Sequence, residues 1–161
     1  MTAGWRGVSH RSAEGLYRLI YFSRQAAQIQ HDLDFEIDNI VRASIRNNRA
    51  VAVTGLLLIH QNWFVQALEG PKQAVLTTFG RVRLDRRNLD PTVIGAGPAP
   101  HRCFRDWNMC ARRMSAADDT ILADLEQTGA FDPTRLTAET GLRLLTAIDA
   151  SQQVGVLART A

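Results

Sequence analysis

The first patterned run of the chain is LYRLIYFS, Leu16 to Ser23, where aromatic and aliphatic residues crowd a short segment bounded by polar ones. Such a run predicts a strand, with Tyr17, Leu19 and Tyr21 on one face and Arg18, Ile20 and Phe22 on the other. After a polar loop, Gln25 to Asp32, the period changes. Between Asp34 and Asn48 the residues Ile37, Ile40, Val41 and Ile45 recur at spacings of three and four, the mark of an amphipathic helix. Ser44 and Asn48 continue that stripe, so both point where the helix packs. Asp34 and Asp38 near its start, with Arg46 and Arg49 near its end, complement the helix dipole.

Val51 to Leu68 reads as two strands, VAVTGLLLIH and WFVQALE, joined by a tight turn at Gln61 and Asn62. The unbroken apolar run Leu56 to Ile59 suits a strand covered on both faces. Gly70 and Pro71 close the second strand and open a helix to about Asp85, with Val75, Thr78, Phe79 and Val82 as its buried stripe. A short strand at Thr92 to Ala96 comes next, then a loop with Pro98 and Pro100. Trp107 to Arg113 is the last strand expected, alternating Trp107, Met109 and Ala111 against Asn108, Cys110 and Arg112.

Strand, helix, strand, strand, helix, strand, with one extra strand, is an α+β chain in the ferredoxin-like arrangement, both helices lying on one face of the sheet. The other face needs a cover. Ser115 and Asp118 form a capping pair for a helix carrying Ile121, Leu122 and Leu125. Asp132 and Pro133 announce another, with Leu142, Leu145 and Ile148 as its stripe. These helices are expected to close the bare face or to dock on a partner. The division expected is a mobile arm at 1–14, a core at 15–113, a helical extension at 114–150 and a frayed tail at 151–161.

A length of 161 residues fits one compact domain. The 45% hydrophobic and 22% charged content is that of an ordinary globular chain, and no stretch approaches the roughly 20 apolar residues of a membrane span. The first 14 residues lack an apolar signal core, so cytoplasmic residence is the default expectation. Cys103 and Cys110 sit in no metal-ligand spacing, so no metal is expected and both read as reduced packing residues. A net charge of +3 is too small to imply nucleic acid, although Arg81, Arg83, Arg86 and Arg87 bunch together, as do Arg112 and Arg113.

No GxSxG, HExxH, Walker loop or GxGxxG occurs, and the four histidines stand apart, so an enzyme is hard to assemble. What stands out is polar groups at apolar positions. Gln66 shares a strand face with Phe64 and Leu68, Tyr21 shares one with Leu19, and Asn48 ends the inward helical stripe. A phenol and two amides, none ionised at neutral pH, suit a flat heteroaromatic ligand; each alone also suits a satisfied core or capping residue.

The segments LYRLIYFSR, NNRAVAVTGLLL, WFVQALEG, RVRLDRRN and RCFRDWNM together resemble the BLUF domain, the sensor of blue light using FAD, from Leu16 to about Arg113. TGLLL followed by F-x-Q-x-LEG is the specific combination. The resemblance implies a flavin bound without covalent attachment, its ring slotted between the two helices. It assigns Tyr21 as the phenol, Gln66 as the switching amide, and Asn48 as the amide on the flavin C4 carbonyl and N3 edge. Trp107 and Met109 match the last-strand pair that relays the change. Ser44, Ile37, Ile40, Ile45 and Phe79 become ring neighbours. Asp85, Arg86 and Arg87 fall near the ribityl phosphate, which an Arg fork suits. Asn88 stands where many relatives have His, which leaves FMN and riboflavin open beside FAD. The mechanism implied is transfer of an electron and a proton from Tyr21 through Gln66, then rotation or tautomerisation of that amide and a red-shifted absorption.

With no EAL, GGDEF or cyclase sequence in these residues, output is expected through a homo-oligomer or a separate signalling protein. A flavin-binding scaffold without signalling is the rival reading. A hydrolase on the same fold would need a Gly-rich anion loop that is missing, and an RNA-binding sheet would compete with the C-terminal helices for its face.

Overall fold

The computed structural model describes residues 15–160; the expected N-terminal arm lies outside them. Strand β1 spans Leu16–Gln25, α1 Leu33–Arg49, β2 Thr54–His60, β3 Trp63–Pro71, α2 Lys72–Leu84, β4 Asn88–Pro98 and β5 Cys110–Arg113. They form one five-stranded sheet in the order β4-β1-β3-β2-β5, antiparallel except for the β2–β5 pair. The fold is therefore the expected α+β arrangement with an added fifth strand.

Side-chain alternation along β1 sorts the molecule into two cores. Leu19 and Tyr21 pack with Leu57, Phe64, Leu68, Ile37 and Val75 beneath α1 and α2. Ile20 and Phe22 pack on the opposite face with Leu58, Val65, Phe104, Leu144, Leu145 and Ile148. The C-terminal extension thus covers the second face. It contains α3, Asp119–Asp124, and α4, Ala138–Thr160.

Several boundaries differ from expectation. β4 is eleven residues long, not five, and tolerates Pro91 because an edge strand leaves one row of backbone donors unneeded. Val51 to Val53 are turn and loop instead of strand, and Ala52 adopts φ 57°. The Ser115–Asp118 capping box exists, but the helix after it lasts only six residues. Asp132 and Pro133 start a single 3-10 turn, Pro133–Arg135. The long helix begins later, where Thr137 and Thr140 exchange backbone-to-hydroxyl bonds at 2.8 and 3.1 Å. The tail expected to fray after Ser151 continues that helix to Thr160. Trp107 and Met109 precede β5 and are not part of it, so the strand alternation expected of them does not hold.

Candidate functional site

The β1–β3 register sets Tyr21 directly opposite Gln66, on the face beneath the two helices. Tyr21 Oη donates to Gln66 Oε1. Gln66 Nε2 in turn donates to the Met109 sulfur at 3.1 Å. All three side chains are buried, so each amide atom has a protein partner in place of water. Burial, reinforced by the negative charge of Asp85, pushes the Tyr21 phenol far above its ordinary range and keeps it protonated. The Phe79 ring backs the phenol, 5.1 Å away and tilted by 51°.

Beside this chain runs a cleft of ≈ 190 Å³ between α1 and α2. Ile40, Ser44, Asn47 and Asn48 face it from α1, and Thr78, Arg81 and Val82 from α2. Leu57, Gln66 and Met109 form its floor. Apolar walls with amide edges at the inner end suit a heteroaromatic ring with alternating donors and acceptors. Asn48 is buried and donates from Nδ2 to the carbonyl of Asn108 at 2.9 Å; its Oδ1 has no partner among the described residues.

The outer end of the cleft is charged. Asp85, Arg87 and Asn88 line it, and the Arg87 guanidinium is bound to Asp85 at 2.6 Å, with Glu36 at 3.6 Å. Burial alone would raise the Asp85 carboxyl; hydrogen bonds from the Arg87 side chain and backbone, with the Arg87 charge, outweigh it and hold the carboxyl low. Asn88 opens β4 and accepts a hydrogen bond from Ser23 Oγ at 2.8 Å.

The structure therefore brings together Tyr21, Gln66, Met109, Asn48, Ser44, Ile40, Asp85, Arg87 and Asn88. It leaves Ile37, Ile45, Phe79, Arg86 and Trp107 out of the lining. Ile37 is buried against the sheet, and Ile45 is turned one residue past the stripe and is 38% exposed. Phe79 lies behind Tyr21, and Arg86 is exposed. Trp107 is 37% exposed with the Arg112 guanidinium 5.6 Å from its ring centre, whereas Met109 is buried. Other lining residues, Ala43, Asn47 and Arg81 among them, were not among those expected at the site. Asn47 lies seven residues after Ile40 and Arg81 three after Thr78, so helical period alone could have found both. Among the described residues no cluster of three metal-ligating side chains occurs, and no helix is long and apolar enough to cross a membrane.

Comparison with known proteins gives a consistent picture. The BLUF family model, described as sensors of blue-light using FAD, matches residues 16–110. Photoactivated adenylate cyclase subunit beta of Euglena gracilis is 37% identical over 103 residues, which is 63% of this chain but only 12% of that relative. Among solved structures, the dark state of BlrB, a BLUF protein, aligns with TM-score 0.69 and 28% identity over 86% of this chain and 98% of that one. The photo-activated state of BlsA aligns with TM-score 0.76 and 21% identity, covering 83% and 94%, and supports the fold.

Proposed function

The chain belongs to the BLUF family, and we propose that this blue-light photoreceptor switches through the hydrogen-bond chain Tyr21–Gln66–Met109. That buried chain, with an amide at its centre and a cleft beside it, is the observation that carries the reading. FAD is the cofactor proposed. When bound, the flavin supplies the blue absorption and, once excited, a strong oxidant.

The residues do the rest. Ile40 and Val82 would wall the ring, while Asn48 and Gln66 would meet its polar edge. Because Asp85 occupies the Arg87 fork, Arg81 at the cleft mouth is the cation left for a phosphate. Tyr21 holds its proton on Gln66 Oε1, so a proton leaving the phenol arrives at the amide oxygen. Gln66 would then rotate its carboxamide, or keep the proton gained on Oε1 and hand one from Nε2 back to the Tyr21 oxygen as the electron returns, which leaves Tyr21 restored and the amide tautomerised; either change would rewrite the bond to Met109. A net hydrogen bond is worth about 1 kcal/mol and an orphaned buried group costs about 1–3, enough to shift a local equilibrium several-fold.

Output leaves through β5, which follows Met109. Arg112 reaches Asp149 of α4 at 3.2 Å, and Gln152 of α4 donates to the Arg113 carbonyl. The receiver is a separate protein or a second copy of this chain, and the chain itself turns over no substrate.

An absorption spectrum before and after a blue flash tests the reading on FAD-reconstituted protein. Wild type should shift reversibly to the red. Tyr21→Phe should stay yellow and lose the shift; a normal shift in that variant rules out Tyr21 as donor.

A further inference from the structure

Residues 107–109 form a bend fixed by more hydrogen bonds than its length suggests. The β2–β5 ladder runs from Leu56↔Cys110 to Ile59↔Arg113. One residue earlier on β2, the ladder would take the Gly55 amide to the Asn108 carbonyl; it donates instead to the carbonyl of Trp107 at 3.0 Å, so the segment before Cys110 carries one extra residue and leaves the register. This skip turns Met109 into the core and Trp107 toward solvent. The looped segment would have to give up strand pairing without replacement, yet Asn108 supplies one. Its Nδ2 donates to the Val53 carbonyl at 3.1 Å, and its own carbonyl accepts from Asn48 Nδ2 at 2.9 Å. The Val53 amide donates to the Asn48 carbonyl at 3.0 Å. Asn48, Val53 and Asn108 thus close a three-membered ring of hydrogen bonds.

The ring ties one cleft amide to a bend that a second cleft amide also holds. Asn48 holds residue 108 from α1, and Gln66 holds residue 109 from β3. A side chain that fixes residue 108 also fixes how far the Met109 sulfur sits from Gln66. We infer that Asn108 is a positioning residue: its ring with Asn48 and Val53 holds the 107–109 bend so that the Met109 sulfur caps Gln66 Nε2. Its consequence for light sensing rests on the function proposed above. Its consequence for the dark structure does not. An aspartate at 108 keeps the shape but cannot donate to the Val53 carbonyl, and an alanine removes the side-chain arm altogether. The backbone carbonyl that receives Asn48 survives in both variants, so the bend loosens but is not deleted.

The test uses the full chain reconstituted with FAD, labelled with 13C-methyl methionine. There are three methionines, and Met109→Leu assigns the resonance of interest. In the dark, Asn108→Asp and Asn108→Ala should shift or broaden the Met109 methyl resonance while that of Met114 stays in place. After a blue flash, both variants should still shift to the red, with a dark-recovery rate changed by about fivefold, the rate equivalent of one net hydrogen bond. If Asn108→Ala does not fold, the nearly isosteric Asn108→Asp carries the comparison. An unmoved Met109 resonance in a folded variant overturns the positioning role. A wild type that ignores light while its Met109 resonance still answers to Asn108 overturns the sensing function and leaves the positioning role standing.

Discussion

Glu69 is fully buried, a place that a carboxylate occupies only when every oxygen is bound. Its Oε2 accepts from Arg18 Nε and Nη2 at 2.9 and 2.7 Å, and its Oε1 from the backbone amides of Cys103 and Phe104 at 2.9 and 2.8 Å. One side chain thereby anchors the loop that delivers residues 107–109 to the cleft. Close approach explains its neighbours in the motif. A Cβ on Gly70 would meet the Ala52 carbonyl oxygen at 2.8 Å, and one on Gly55 would meet that of Ala67 at 2.2 Å. Glu69→Ala leaves a mostly buried guanidinium and two amides unpaired, so a loss of about 3–5 kcal/mol is expected in urea unfolding. A loss below about 1 kcal/mol, the scale of an exposed pair, would show that water screens the contact.

At the level of elements, the β2–β3 hairpin touches the C-terminal extension at its tip. The His60 ring meets Phe131 edge-on at 5.3 Å, and Gln61 Oε1 accepts from the Phe131 amide at 3.2 Å. Burial lowers the His60 pKa below its usual 6.5, partly offset by the charges of Asp119 and Asp118. A depressed histidine means that the unfolded chain binds more protons than the folded one. Stability is then retained above about pH 6.5 and falls as the pH drops through the His60 titration. Melting temperatures between pH 7.5 and 5 should fall less steeply in His60→Gln than in wild type. Parallel curves would clear His60 of that role.

Taken whole, the molecule places its cleft on one face of the sheet and its extension on the other, with β5 shared between them. If the switch works as proposed, blue light should alter amide exchange at Cys110–Arg113 and along residues 138–153, and Tyr21→Phe should erase the difference. Exchange that changes only beside the cleft would put the output elsewhere. The alternation of β1, the stripe of α1 and the apolar run of β2 determined the sheet, its helices and the inward facing of Tyr21, Gln66 and Asn48. Those are consequences of local periodicity, which a side chain obeys whatever lies across from it. Tertiary structure decided that Met109 turns in while Trp107 turns out, that Asp85 captures Arg87, and that Asn47 and Arg81 join the lining. Residues 99–106 have no period to read, and the alternation expected at 107–109 is broken by the bend before β5. Their path is set by Glu69, Gly55 and Asn48, partners dozens of residues away whose distance only the folded chain brings to hydrogen-bond length.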